Sequence, residues 1–256
     1  MRYACGLEYD GSGYQGFQTQ KNGPSVQVAT EKAFTSVAAH DVQVFCAGRT
    51  DTGVNALSQV IHFDSDAKRS ERQWLLGVNS ALPRDISVLW VRAVDTAFHA
   101  RFSALSRSYV YKILNRAVRP AIGRQQLSWE LKPLDEKKMH AAAQYLKGEH
   151  DFNALRSSQC QSKQPIRQIQ EISVRRFGEI VQFDVTANGF LHHMVRNIMG
   201  CLIPIGLGDQ SIEWMQQVLE SKDRKQAGIT ASPQGLSFKS VQYPSKFGLD
   251  DVTHIQ

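Results

Sequence analysis

Over residues 1–94 the apolar residues switch between a period of two and a period near 3.6, and the order of those switches limits the possible folds. Tyr3, Cys5, Leu7 and Tyr9 alternate as in a half-buried strand. Ser25 then stands as an N-cap before a helical stripe of Val26, Ala29, Ala33 and Val37. Two strand-like runs follow, Val42–Cys46 and Gln59–Phe63. Ser70 caps a second helix through Trp74, Leu75 and Val78, which Pro83 stops, and Ile86–Val94 reads as another strand. The order is β-α-β-β-α-β, a ferredoxin-like split unit.

The remainder repeats that order with one additional helix. Ser108–Leu114 has strand character, and Asp135–Lys147 is a helix with Met139, Ala142, Ala143 and Leu146 on one side. Ile172–Arg176 and Ile180–Val185 make a hairpin around Gly178-Glu179. Helices from Phe190 and from Ser211 precede a last strand at Leu236–Val241. The expectation is an α+β protein of two ferredoxin-like halves, 1–104 and 105–256. Their antiparallel sheets would flank a basic catalytic cleft, with 98–107 as the connector. The tail from Asp250 to Gln256 is expected to be loose.

One loop stands out between the strands of the first half. Gly48-Arg49-Thr50-Asp51-Thr52-Gly53 carries an Arg, an Asp and two glycines. In an extended segment Arg49 and Asp51 face one side. A loop of this kind can present a reactive carboxylate, but by spacing alone an ordinary hairpin with a surface ion pair is the favoured reading, because such pairs are frequent.

Composition narrows the partners. The 256 residues carry a net charge of +6, which suits a polyanionic partner. Basic residues also cluster locally: 101–124 holds six and no acid, interleaved with Tyr109 and Tyr111. Basic charge attracts phosphate, and aromatic rings offer bases a stacking surface. Cys5, Cys46, Cys160 and Cys201 form no C-x-x-C pair, which argues against zinc and against a disulfide framework and suits a reducing cytoplasm. No apolar stretch reaches the roughly 20 residues of a membrane span. From Asn188 to Gly200 the pattern is that of an amphipathic helix. Its apolar stripe is Leu191, Met194, Val195, Ile198 and Leu202, and His192, His193, Arg196, Asn197 and Gly200 lie opposite. Adjacent histidines diverge by about 100° on a helix, so solvated imidazoles are the reading there rather than a chelating pair.

Several ordered segments resemble the tRNA pseudouridine synthase A family. The loop Gly48–Ala56 is similar to that family's G-R-T-D-x-G-V-H-A motif, with Asn55 where the family usually has His. Tyr9–Gln18, Phe98–Ala104, Arg107–Tyr111, His150–Ala154 with Cys160–Ser162, Phe190–Ile198 and Thr230–Leu236 match further family segments, with Ser232 in place of the usual Pro. The resemblance implies Asp51 as the catalytic residue and Tyr109 as a ring that stacks on the target base. It also implies Arg196 beside the catalytic Asp, while Arg49 would hold the vacated space or a flanking phosphate. The expected activity is isomerisation of uridine to pseudouridine at positions 38 to 40 of the tRNA anticodon arm. The enzyme would be a cytoplasmic homodimer using neither metal nor organic cofactor. A carboxylate suits the chemistry because breaking the C1′–N1 bond leaves oxocarbenium-like charge on the sugar. It could attack C1′, stabilise the cation, or remove a proton to give a glycal. The alternatives are a non-catalytic RNA-binding protein and a glycosidase-like hydrolase, which would need a second carboxylate.

Overall fold

The computed structural model describes residues 1–20 and 23–253. In chain order the strands and helices are β1 (Arg2–Tyr9), α1 (Val26–Ala38), β2 (Phe45–Cys46), β3 (Asn55–Asp64), α2 (Glu71–Ala81), β4 (Ile86–Val94) and β5 (Ser106–Asn115). After them come β6 (Ser128–Glu130), α3 (Glu136–Gln144), β7 (Gly148–Asp151), β8 (Ile166–Phe177), β9 (Ile180–Ala187), α4 (Met194–Leu207), α5 (Trp214–Ser221), β10 (Leu236–Gln242) and α6 (Asp250–Thr253). The chain is α+β and divides into two compact units, 1–107 with 237–256, and 108–236.

In the first unit β1 is central, antiparallel to β4 on one side and to β3 on the other. The far edge of β3 is shared. β10 runs parallel to its start, with Ser237 opposite Asn55, and β2 pairs with its later half, with Phe45 opposite His62. Helices α1 and α2 begin at the serines expected. Ser25 Oγ accepts from Val28 N–H, and Ser70 and Gln73 form a capping box. Their apolar faces meet the sheet at Phe34, Phe63 and Trp74, whose ring centroids lie 4.5 to 6.0 Å apart.

Two expectations here are corrected. β1 is buried on both faces rather than half-buried, because it is the central strand and Trp90 lies directly over Gly6. Val42–Cys46 is a strand only at Phe45–Cys46. Upstream, the Val42 and Val44 N–H groups bond to Thr35 Oγ1 and Glu31 Oε1 of α1, so side chains replace a sheet partner.

The connector after β4 is anchored. Phe98 is fully buried between Tyr243 and Phe247, and the Tyr243 hydroxyl donates to Ala100 O at 2.7 Å. The tail is likewise partly ordered: α6 follows the buried Leu249, while 254–256 lie outside the described residues.

The second unit is built on the β8–β9 hairpin, whose two-residue turn places Gly178 at φ 59°, where a side chain would be strained. The sheet order is β5-β9-β8-β7, with the short β6 parallel to β5. Every second residue of β9 from Val181 to Ala187 is buried, and α3 covers the sheet with Met139, Ala142 and Ala143. The helix expected from Phe190 begins at Met194 instead. His193 precedes it in the left-handed region, at φ 63°, and a residue in that conformation cannot continue a helix backwards.

Candidate active site

In the first unit the loop between β2 and β3 is braced from both directions. On the strand side, Gln59 reaches along the loop with its amide. Its Nε2 donates to Gly48 O at 2.6 Å and its Oε1 accepts from Gly48 N–H at 3.3 Å. Arg107 donates to Ala47 O from the same flank. On the other side lies the glycine-rich turn after β1. Phe17 N–H donates to Thr50 O, Gly53 N–H to Tyr14 O, and Gly11 N–H to Asn55 Oδ1 at 2.8 Å. Buried Tyr9 and Thr50 share a hydroxyl hydrogen bond of 2.8 Å.

The glycines of the turn are required at two contacts. A Cβ on Gly11 would fall 2.0 Å from Val54 O, and one on Gly16, already at φ 87°, 2.5 Å from Thr50 O. Within the loop, Val54 N–H closes a turn onto Asp51 O, and Gly53 supplies the φ of 76° at its third position. Thr50 is buried between exposed Arg49 and half-buried Asp51, as the period of two predicts.

In the sequence Asn55 is simply a departure from the family motif. It is 4% exposed and ties the two loops together through Gly11. Single-chain pattern reading has no signal for that contact, since its partner is a backbone N–H 44 residues away.

Tyr109 and Arg196 belong to the second unit. Tyr109 lies on β5, buried, edge-to-face with Phe190 at 4.9 Å between centroids. Tyr111 is buried too, and its hydroxyl donates to Ser232 O. Burial raises the Tyr111 hydroxyl above the ordinary tyrosine range, with Arg196 working against that rise.

Arg196 sits in the first turn of α4, and its Nε donates to Ala231 O at 2.9 Å while Ala231 N–H donates back to Arg196 O. This reciprocal pair straps 228–235 along the helix. Gly200 and Gly228 allow the approach: a Cβ on Gly200 would lie 1.9 Å from Ile229 O. Asn197 is fully buried beneath the strap. It donates to Leu155 O and accepts from Thr230 Oγ1 at 2.7 Å and from Arg224.

Asn197 and Gly200 are therefore not on a solvated polar face, as the amphipathic pattern suggested. That face is covered by the strap, a tertiary contact that periodicity does not encode. His192 and His193 are not helical either. They occupy the turn before α4 with their ring centroids 4.0 Å apart.

Asp51 is thus a half-buried carboxylate on a loop anchored from two sides. The chain belongs to the tRNA pseudouridine synthase family: the model of that family matches residues 7–103 and 142–244. It is 53% identical over 251 residues to the tRNA pseudouridine synthase A of Xanthomonas campestris, covering 97% of this chain and 98% of the relative. To the protein of the same name from Stenotrophomonas maltophilia it is 52% identical over 250 residues, with the same coverage. The crystal structure of a Cbf5-Nop10-Gar1 complex aligns over 79% of this chain and 44% of that one at 14% identity and TM-score 0.34, too loose a likeness to carry an argument.

Proposed function

We propose that this protein isomerises uridine to pseudouridine at positions 38 to 40 of the tRNA anticodon arm, with Asp51 as the catalytic residue. The observation that carries the assignment is the doubly braced loop, with Asp51 on the turn that Val54 N–H closes. Catalysis at a sugar carbon needs the carboxylate held within fractions of an ångström of C1′, and a loop free to move would give up much of that advantage. The glycosidic bond breaks with positive charge developing on the sugar, which an anionic carboxylate stabilises by attack, by charge, or by taking a proton to leave a glycal. The uracil then turns and rejoins through C5.

The uridine leaves its stack to reach the site, at a cost of a few kcal/mol. In this reading Tyr109 recovers part of that cost by stacking, and Arg49 and Arg196 hold the flanking backbone and the carboxylate. Two ferredoxin-like halves flank a basic cleft. The β4-β1-β3-β2 order of the first unit supports the ferredoxin-like reading of that half. The functional form is a cytoplasmic homodimer without metal or organic cofactor.

The test is to incubate the pure protein with an unmodified tRNA transcript and map pseudouridine by position. Conversion is expected at 38 to 40 and abolished by Asp51→Asn, with tRNA affinity nearly unchanged. Turnover by that variant, in a preparation free of host enzyme, would refute the role of Asp51. Tight tRNA binding by the wild type with no isomerisation would favour the non-catalytic RNA-binding reading.

A further inference from the structure

A series of four aromatic rings in the first unit is exposed at both ends and buried at His62 between them. Phe45 stacks on His62 at 4.9 Å and 21°, His62 meets His99 at 4.5 Å, and His99 meets Phe102 at 4.4 Å. His62 is buried, whereas Phe45 is 47% and Phe102 76% exposed. Leaving a phenylalanine that open forgoes its hydrophobic stabilisation, so a ring held open in a rigid mount points to something that covers it.

The mount is rigid. In the turn carrying Phe102, His99 Nδ1 accepts from the N–H groups of Arg101 and Phe102, and His99 and Ser103 exchange two further hydrogen bonds. Arg107 donates to Arg101 O and Ala104 O, clamping the turn from below. The rings need no reorganisation to receive a partner, and the ordering entropy has already been spent in folding.

The surroundings select the partner. The Arg101 guanidinium lies 5.5 Å from the Phe102 ring centroid, and no Asp or Glu occurs between Asp95 and Glu130. Arg107 donates both to Arg101 O and to Ala47 O, so the turn carrying Phe102 is tied to the start of the loop that carries Asp51. Burial holds both imidazoles below the ordinary histidine range, so at neutral pH they present uncharged faces. An exposed flat ring, backed by others and bordered by cations, fits an unstacked nucleobase with its phosphate.

The geometry points to Phe102, backed by His99 and with Phe45 alongside, as a stacking platform for a second RNA base, one flanking the isomerised uridine, with Arg101 on its phosphate. The inference rests on the reading of the protein as a tRNA pseudouridine synthase, but its test reads binding rather than turnover. Phe102→Leu keeps an apolar side chain at an exposed position and removes the π-face, so it should melt as the wild type does. Its affinity for an unmodified tRNA transcript should fall roughly fivefold to a hundredfold, with the slope of log affinity against log salt unchanged. Arg101→Gln should instead lower that slope by about one. Phe102→Trp should bind as the wild type does and show tRNA-dependent quenching absent from the wild type.

Wild-type tRNA affinity in Phe102→Leu would overturn the platform. So would a loss of self-association in that variant, seen by sedimentation, with RNA affinity intact, since the ring would then be a contact between copies of the chain. If the wild type binds tRNA without converting uridine, the activity assignment fails while the platform stands or falls on the affinities alone.

Discussion

Asn55 illustrates how a single side chain sets the geometry of the site. Its carbonyl is the acceptor for the buried Gly11 N–H, and that hydrogen bond joins the turn after β1 to the loop bearing Asp51. Asn55→Ala leaves that N–H without its acceptor, at a cost of about 1–3 kcal/mol. Urea denaturation should register that loss, and kcat should fall with little change in tRNA affinity; an unchanged kcat would show that the contact does not position Asp51. His62 offers a second check at this scale. Burial, helped by the nearby His99 and Arg2 and opposed by Asp64, pushes its pKa down from 6.5 to about 4. A base with a depressed folded pKa binds its proton in the unfolded chain first, so stability is intact above about 6.5 and falls as pH drops toward about 4. At about 1.36 kcal/mol per unit the loss reaches on the order of 3 kcal/mol. An NMR titration should place the His62 midpoint below 5, and a midpoint near 6.5 would contradict the burial argument.

The helices show where local preference and packing disagree. In α1 and α2 they agree: the serine caps, the apolar stripes and the stop before Pro83 are all local, and each was visible in the chain. In α4 they conflict. Gly200 stands mid-helix, where alanine would ordinarily gain about 1 kcal/mol. Here that alanine would drive its Cβ to 1.9 Å from Ile229 O, and both partners are backbone. Gly200→Ala should therefore destabilise the protein by roughly 1–3 kcal/mol, the cost of overpacking a site that cannot give. It should also loosen the 228–235 strap, and with it the Arg196–Ala231 pair. Thermal melts together with limited proteolysis would check this: a lower Tm with new cleavage near Ile229 is expected, and a raised Tm would mean that the strap moves freely.

At the scale of the whole chain, the C-terminal segment belongs with the N-terminal one. β10 lies parallel to β3, and beyond it Tyr243 and Phe247 close over Phe98. Ending the chain after Gln242 removes both rings and the hydrogen bond to Ala100, and uncovers a phenylalanine that is fully buried. Large-to-small changes in a core cost about 3–5 kcal/mol for a single aromatic, and this deletion removes two. Against a typical stability of 5–15 kcal/mol, the shortened chain should unfold at or below 37 °C by circular dichroism. A melt within a few degrees of the full chain would mean that the tail merely decorates the first unit.

What the sequence determined by itself is the part of the protein built from neighbours. The α+β class, most element positions, the serine caps, the hairpin at Gly178 and the loop carrying Asp51 all follow from residue types at short spacing. The motif that carries the family is contiguous as well, so it could be read in one dimension. The tertiary structure decided what depends on contacts between distant segments. It covered one flank of α4 with the 228–235 strap, buried Asn197, and started that helix at Met194 because His193 adopts φ 63°. It also made β1 a central strand, let α1 side chains take the place of a strand partner at Val42 and Val44, and gave Asn55 its partner. A hydrophobic period states that one side of an element is buried, but not what lies against the other, and a backbone N–H 44 residues away leaves no trace in local spacing.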